Sequence, residues 1–181
     1  MSSGLLIIDI QRDYFPGGAY PLVEPEAAAA TAQRVLERFR GDGLPVVHMR
    51  HVWDAPDAAF MRPGTEGIEI HPLVAPAEGE PVIDKEHPNS FRDTGLEDRL
   101  RSLGVDELVV VGMMSSMCVD ASVRAAVDLG FETTVVHDGC AAPDLSFDGS
   151  EVPGAAVHTA FMAALADGYA SVVGADQLLR A

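Results

Sequence analysis

Short apolar runs separated by helix-length segments recur along this chain, and that alternation limits its fold more than any other feature. Leu5-Leu6-Ile7-Ile8 is continuous, too short for a helix and bounded by polar residues, so it reads as a strand buried on both faces. Pro45-Val46-Val47-His48-Met49, Leu108-Val109-Val110-Val111 and Thr133-Thr134-Val135-Val136 repeat the signature. Pro81-Val82-Ile83 and Ala170-Ser171-Val172-Val173 are weaker versions. Pro25 and Glu26 open a helix whose stripe is Ala28, Ala32, Val35, Leu36 and Phe39, with Gly41 as its stop. Thr94-Gly95-Leu96-Glu97 has the form of a capping box, followed by Leu96, Leu100 and Leu103 on one face and Gly104 as the stop. A third helix is predicted from about 117 to 129, with Val119, Val123, Ala126 and Val127 inward. A fourth, from about 152 to 166, presents Val157, Ala160, Phe161 and Ala164. Strand alternating with helix throughout predicts an α/β fold of three layers, α/β/α: a Rossmann-like parallel sheet of about six strands with helices on both faces.

The 181 residues suit a single domain spanning 1–181, with no linker, repeat or low-complexity tract. Formal net charge is −16, which repels phosphate backbones and anionic lipid, so nucleic acid and membranes are not expected partners. No apolar run approaches the roughly 20 residues of a spanning helix, and Met1-Ser2-Ser3-Gly4 lacks the basic leader of a signal peptide. With only Cys118 and Cys140, reduced thiols and a cytoplasmic location are expected.

Ligands of open parallel sheets bind outside the carboxyl ends of the strands. The residues that follow the apolar runs are Asp9, the 48–53 stretch, Asp84-Lys85 and the segment Gly112 to Cys118. The irregular segments 11–24 and 51–80 are expected to wall the site. A carboxylate at Asp9 is costly beside a buried strand unless paired or catalytic, although a capping role fits equally. Lys85 is its natural ion-pair partner, or else an ordinary solvated lysine. Cys118 falls where a strand turns into a helix, where the dipole and free N–H groups favour a thiolate and can hold an oxyanion. The plainer reading is a buried structural cysteine, which suits Cys140 in the turn Gly139-Cys140-Ala141-Ala142. An acid, a cation and a thiol at one sheet edge point together to a catalytic set.

From Leu5 to Val173 the chain resembles the isochorismatase-like cysteine hydrolases, the superfamily of nicotinamidases and carbamoylsarcosine amidases. The resemblance is carried by Leu5-Leu6-Ile7-Ile8-Asp9-Ile10-Gln11-Arg12-Asp13-Tyr14, by Arg62-Pro63-Gly64-Thr65-Glu66-Gly67 with Ile70-His71-Pro72, by Lys85 with Ser90, Phe91, Thr94 and Leu96, and by Gly112 through Cys118-Val119 to Ser122, Arg124 and Ala125. It implies that Cys118 attacks a carbonyl to give a thioester, that Asp9 is the general base and that Lys85 holds Asp9. It also implies backbone N–H oxyanion donors at Met114 and Cys118 beside a cis Met113–Met114 peptide. Gln11, Tyr14, Trp53, Phe91 and Ser115 are the expected substrate pocket, with Phe15 and Phe60 as further aromatic candidates. Met113, Met114 and Met117 are expected as a soft lining, or as core. Nicotinamidases carry an Asp-x-His metal element after the second strand; here that stretch is His51-Val52-Trp53, and His48 with His51 lacks a third ligand, so no metal and no cofactor are expected. Family members commonly form oligomers, so a homo-oligomer (dimer or tetramer) acting on a small molecule is expected, with the alanine-rich fourth helix as a candidate interface or as packing on the sheet. The expected activity is hydrolysis of a C–N bond in a small amide or ureido compound. The alternatives are vinyl ether cleavage of the isochorismatase type, which needs no nucleophile, and a non-catalytic α/β binding protein.

Overall fold

The computed structural model describes residues 2–180. In chain order its elements are β1 (Ser2–Ile8), α1 (Pro25–Gly41), β2 (Val46–His51), β3 (Val82–Lys85), α2 (Leu96–Ser102), β4 (Val105–Met113), a π-helical turn (Ser115–Val119), α3 (Asp120–Asp128), β5 (Glu132–Ala141), β6 (Leu145–Phe147), β7 (Ser150–Val152), α4 (Gly154–Gly168), β8 (Ser171–Val173) and α5 (Ala175–Leu178). Six strands form one sheet in the order β3-β2-β1-β4-β5-β8, every neighbour parallel. The three-layer α/β fold read from the sequence is present, and its strand order reverses between β1 and β4. That reversal opens a crevice at the carboxyl ends of the two strands, where ligands of such sheets bind.

The alternation of side chains along β1 builds both layers. Leu5 and Ile7 pack with Ala28, Ala32, Val35 and Leu36 of α1, whereas Leu6 and Ile8 pack with Leu96 and Leu100 of α2, Val123 of α3 and Leu165 of α4. None of these four β1 residues exceeds 1% exposure, and burying each contributes about 1.5–3 kcal/mol. Among the described residues no helix is long and apolar enough to cross a membrane.

Several elements differ from the sequence reading. β2 runs on to His51 and β3 to Lys85, which carries both side chains to the sheet edge as strand residues. Leu96 starts α2 with Gly95 in a left-handed conformation before it, and Thr94 Oγ1 accepts the N–H of Leu96 at 3.2 Å, so Thr94 closes a local turn rather than a capping box. β5 extends through a register shift to include Cys140, which lies in the strand opposite Gly112 and not in a turn. The hairpin of β6 and β7 was not foreseen, and it delays α4 to Gly154. The buried face of α4 is Gly154, Val157, Met162 and Leu165, while Ala160 and Ala164 are exposed and Phe161 is half-buried.

One polar knot ties α1, β2 and the lead-in to β3. Glu80 accepts two hydrogen bonds from Arg40 at 2.7 Å, one from the N–H of Ala77 at 2.8 Å, and contacts Nε2 of the fully buried His48 at 2.9 Å. Burial pushes the Glu80 carboxyl up, but these partners outweigh it and hold the group at about 2. Burial keeps His48 below its ordinary value, hence neutral. Because the folded value is depressed, the stability that Glu80 contributes is complete above its ordinary 4.5 and is lost as pH falls toward about 2. Glu80→Ala should lower stability by about 1–3 kcal/mol at neutral pH, and denaturant titrations from pH 7 downward should show a shallower acid dependence than wild type.

Candidate active site

Asp9 directly follows β1 with φ of 50°, in the left-handed region that aspartate tolerates better than most residues. Its N–H donates to Met49 O of β2 at 3.2 Å and its carbonyl accepts from Gln11 N at 2.9 Å. Two strands away, Lys85 ends β3 in register with His51 of β2. Its Nζ lies 2.7 Å from Asp9 Oδ2, with both side chains fully buried. It also lies 3.0 Å from His51 Nδ1 and donates to His87 O at 3.0 Å. Three partners match the three protons of an ammonium. Burial alone pushes Lys85 down, but the Asp9 carboxylate and the nearby thiol outweigh it and its value ends raised, so the amine stays charged. His51 is lowered by burial and then by Lys85, which makes it a neutral imidazole accepting at Nδ1 and protonated at Nε2.

Cys118 is 3% exposed and sits in the π-helical turn ahead of α3, rather than in the first turn of an α-helix. Met114 O accepts the N–H groups of Met117 and Val119 at 3.0 and 3.1 Å, and the Met113–Met114 peptide is cis. One donor atom each of Asp9, His51 and Cys118 lies within 4.8 Å of the other two. The thiol is raised far above its ordinary range, first by burial and next by the Asp9 carboxylate, with Lys85 pulling the other way. The thiolate expected from the helix dipole is therefore not the resting form. Neither Asp9 oxygen accepts a hydrogen bond of good geometry among the described residues. Oδ2 makes the ion pair with Lys85 at 2.7 Å.

Residues 3–177 match the model of the isochorismatase domain. The chain belongs to the isochorismatase family. This isochorismatase-family hydrolase is 49% identical over 180 residues to the family protein YddQ of Bacillus subtilis, covering 99% of this chain and 100% of that one. It is 34% identical over 149 residues to maleamate amidohydrolase of Pseudomonas putida, covering 74% and 70%. The crystal structure of an isochorismatase hydrolase from Oleispira antarctica superposes with a TM-score of 0.96 at 50% identity, covering 99% and 97%.

The segments that carried the resemblance hold the hydrolase's candidate site together. Gly112 has φ of +146°, and a Cβ there would lie 2.2 Å from Ile8 O, so glycine lets β4 approach β1 just before Cys118. Ser122 Oγ accepts the N–H of Ser90 at 2.9 Å and lies 2.7 Å from Ser90 Oγ, which locks the segment after Lys85 onto the helix after Cys118. Gln11 is fully buried; its amide donates to His51 O and Ile68 O at 2.9 and 2.8 Å, and its oxygen accepts the N–H of His51 at 2.8 Å. Both amide N–H donors and the oxygen are used in clamping 51 to 68.

Other pocket candidates scatter. Tyr14 is 1% exposed, its phenol raised by burial and then by the charges of Cys118 and Asp9. Trp53 is half-buried and edge-on to Phe60 at 5.4 Å. Phe91 packs with Phe131 at 5.9 Å in the core beneath α2 and α3. Ser115 is buried 2.8 Å from His158 Nδ1 of α4. Met113 and Met114 are core on the α1 side, while Met117 is 47% exposed.

Two residues of the site were not singled out in the sequence for the roles they have: His51, which was weighed only as a broken metal ligand, and His158. His48 belongs to the Glu80 knot, so it does not converge with His51. Asp9, His51 and Cys118 form a possible metal-ligand group, but the Lys85 ammonium already lies against Asp9 and His51. A second cation would be strongly repelled there. A cleft of about 670 Å³ is lined by the 12–19 and 59–72 segments and touches none of the three candidate catalytic residues. A hollow of about 420 Å³, including Val52, His87 and Arg92, reaches Lys85.

Because the Asp9 charge helps hold the thiol protonated, Asp9→Asn should shift the pH profile of Cys118 alkylation to lower pH. Wild-type Cys118 should still be gaining reactivity at the most alkaline pH the fold tolerates. Cys140, raised to about 12 by burial, should not move; mass-spectrometric rates for each cysteine decide both points.

Proposed function

We propose that this hydrolase cleaves the C–N bond of a small amide or ureido compound through a thioester on Cys118. The observation that carries the reading is the buried carboxylate of Asp9, lacking a good hydrogen bond, next to a neutral buried thiol and locked to a saturated ammonium. Asp9 takes the thiol proton as Sγ attacks the carbonyl carbon. The oxyanion forms against the backbone N–H groups of Met114 and Cys118. Collapse breaks the C–N bond as Asp9 returns the proton to the departing nitrogen, which leaves as ammonia or an amine. Water then attacks the thioester, gives its proton to Asp9 and releases the acid, and the proton returns to sulfur. Lys85 holds the carboxylate in its ionised form and His51 holds Lys85, neither changing its own protonation.

The similarity to maleamate amidohydrolase supports this class of bond. Tyr14 and Ser115, both buried, remain the candidates for contact with the reacting group. A soluble oligomer in the cytoplasm suits a catalyst of this kind.

The test is ammonia release from a panel of small amides. Cys118→Ala should abolish turnover, and Asp9→Asn should reduce kcat by about 10²–10⁴-fold, the usual worth of a positioned general base. Turnover that survives Cys118→Ala would remove the thioester and favour a nucleophile-free reaction such as vinyl ether cleavage.

A further inference from the structure

The chain holds 12 cationic side chains against 28 acidic ones, so most cations find a partner. Among the described residues only Arg12, Arg62 and Arg99 make no ion pair. Two of those three, Arg12 and Arg62, line the same 670 Å³ cleft, a volume within the range of small-molecule sites. We propose that this cleft binds a carboxylate-bearing small molecule, its carboxylate held by the guanidiniums of Arg12 and Arg62 and its carbon skeleton resting on the stacked rings of Phe15 and His71.

The walls are built rather than incidental. Asp13 is buried, and its two oxygens accept the N–H of Ala19 at 3.0 Å and of Met61 at 2.6 Å, which pins the 12–19 turn to the facing segment. A Cβ on Gly67 would fall 2.0 Å from that carboxylate, so a glycine is required where the two walls meet. Asp13 is thereby occupied and does not compete for the arginines; Glu66, the other acid lining the cleft, is exposed. Phe15 and His71 stack at 3.9 Å with an interplanar angle of 16°. His71 accepts from Leu73 N at Nδ1, at 3.4 Å. The site thus presents two guanidiniums without ion-pair partners and an aromatic side, on backbone that Asp13 holds in shape. Guanidinium suits a carboxylate because its parallel N–H groups match two oxygens.

Tyr14 is the link from the cleft wall toward the proposed thioester site. Tyr14 stands between two cleft residues in sequence, its ring is 6.0 Å from that of Phe60 in the cleft wall, and its phenol responds to Cys118 and Asp9. Binding follows from the cleft alone; that the bound molecule is also the substrate rests on the hydrolase reading above.

The probe is succinate, titrated calorimetrically into the full-length protein at low ionic strength. Saturable binding is expected, weakened about tenfold or more in the double variant Arg12→Gln/Arg62→Gln, as for loss of charge-assisted hydrogen bonds. It should also weaken with added salt and be unchanged in Arg99→Gln. No saturable binding, or binding equal in the double variant, overturns the proposal. Turnover of succinamate is then compared with that of its neutral counterpart succinamide. A preference for succinamate that disappears in the double variant assigns the carboxylate to the substrate, and a preference that survives it overturns that assignment. Equal turnover of the two amides alongside arginine-dependent succinate binding assigns the cleft to a separate carboxylate ligand. If neither amide is turned over, the hydrolase reading is what suffers, and the succinate titration still decides the cleft.

Discussion

The ion pair of Asp9 and Lys85 is the constraint around which the rest of the structure is arranged. Both side chains are fully buried, and the effective penalty for taking ions out of water is several kcal/mol each. The penalty is met unevenly. Lys85 has three partners for its three protons, whereas Asp9 has the ammonium and no well-formed hydrogen bond. A pair kept for stability alone would have both ends satisfied, since an unpaired buried acceptor costs about 1–3 kcal/mol. The open end of this pair faces the cluster that contains the only thiol at the sheet edge between β1 and β4, and that asymmetry is a mark of function.

Holding the pair requires three strands to end together. Lys85 comes from β3, His51 from β2 and Asp9 from β1, adjacent in the sheet in that order. The strand ends are secured laterally: Gln11 clamps His51, and the two serines 90 and 122 join the lysine segment to the helix that follows Cys118. The Cys118 segment is thereby fixed to the lysine by contacts that touch neither charge. The left-handed turn at Asp9 and the close approach at Gly112 are the local backbone conditions for the same convergence.

Much of this was legible from the sequence, for definite reasons. Strands buried on both faces have no choice but to be continuously apolar, so β1 and β4 announce themselves, and the polar residues at their ends announce the site. Strand ends were less legible: His51 and Lys85 read as loop residues because polar side chains hide the last pairs of a parallel strand. The role of His51 depends on a lysine 34 positions away, a contact no local pattern encodes. On α4, alanines on every side erased the contrast between faces, so Ala160 and Ala164 were placed inward when Met162 and Leu165 are the buried residues. The β6–β7 hairpin was missed because all six of its strand residues are exposed and leave no buried-face alternation to read. Phe91 shows the limit for aromatics, which look alike in sequence whether they line a pocket or, as here, fill the core against Phe131.

Charge conservation inside the buried cluster ties the resting state to the proposed reaction. With Asp9 ionised, Lys85 protonated, and His51 and Cys118 neutral, the site carries no net charge. Ionising the thiol alone would leave an uncompensated anion in a place that already disfavours one, which is why burial and Asp9 both raise it. The proposed attack on a carbonyl would avoid that state: the proton would move to Asp9 as the sulfur–carbon bond forms, and the negative charge would pass to the oxyanion. The sum stays at zero, with Lys85 positive throughout. A thiol that is inert without substrate and reactive with it is what this electrostatic arrangement favours.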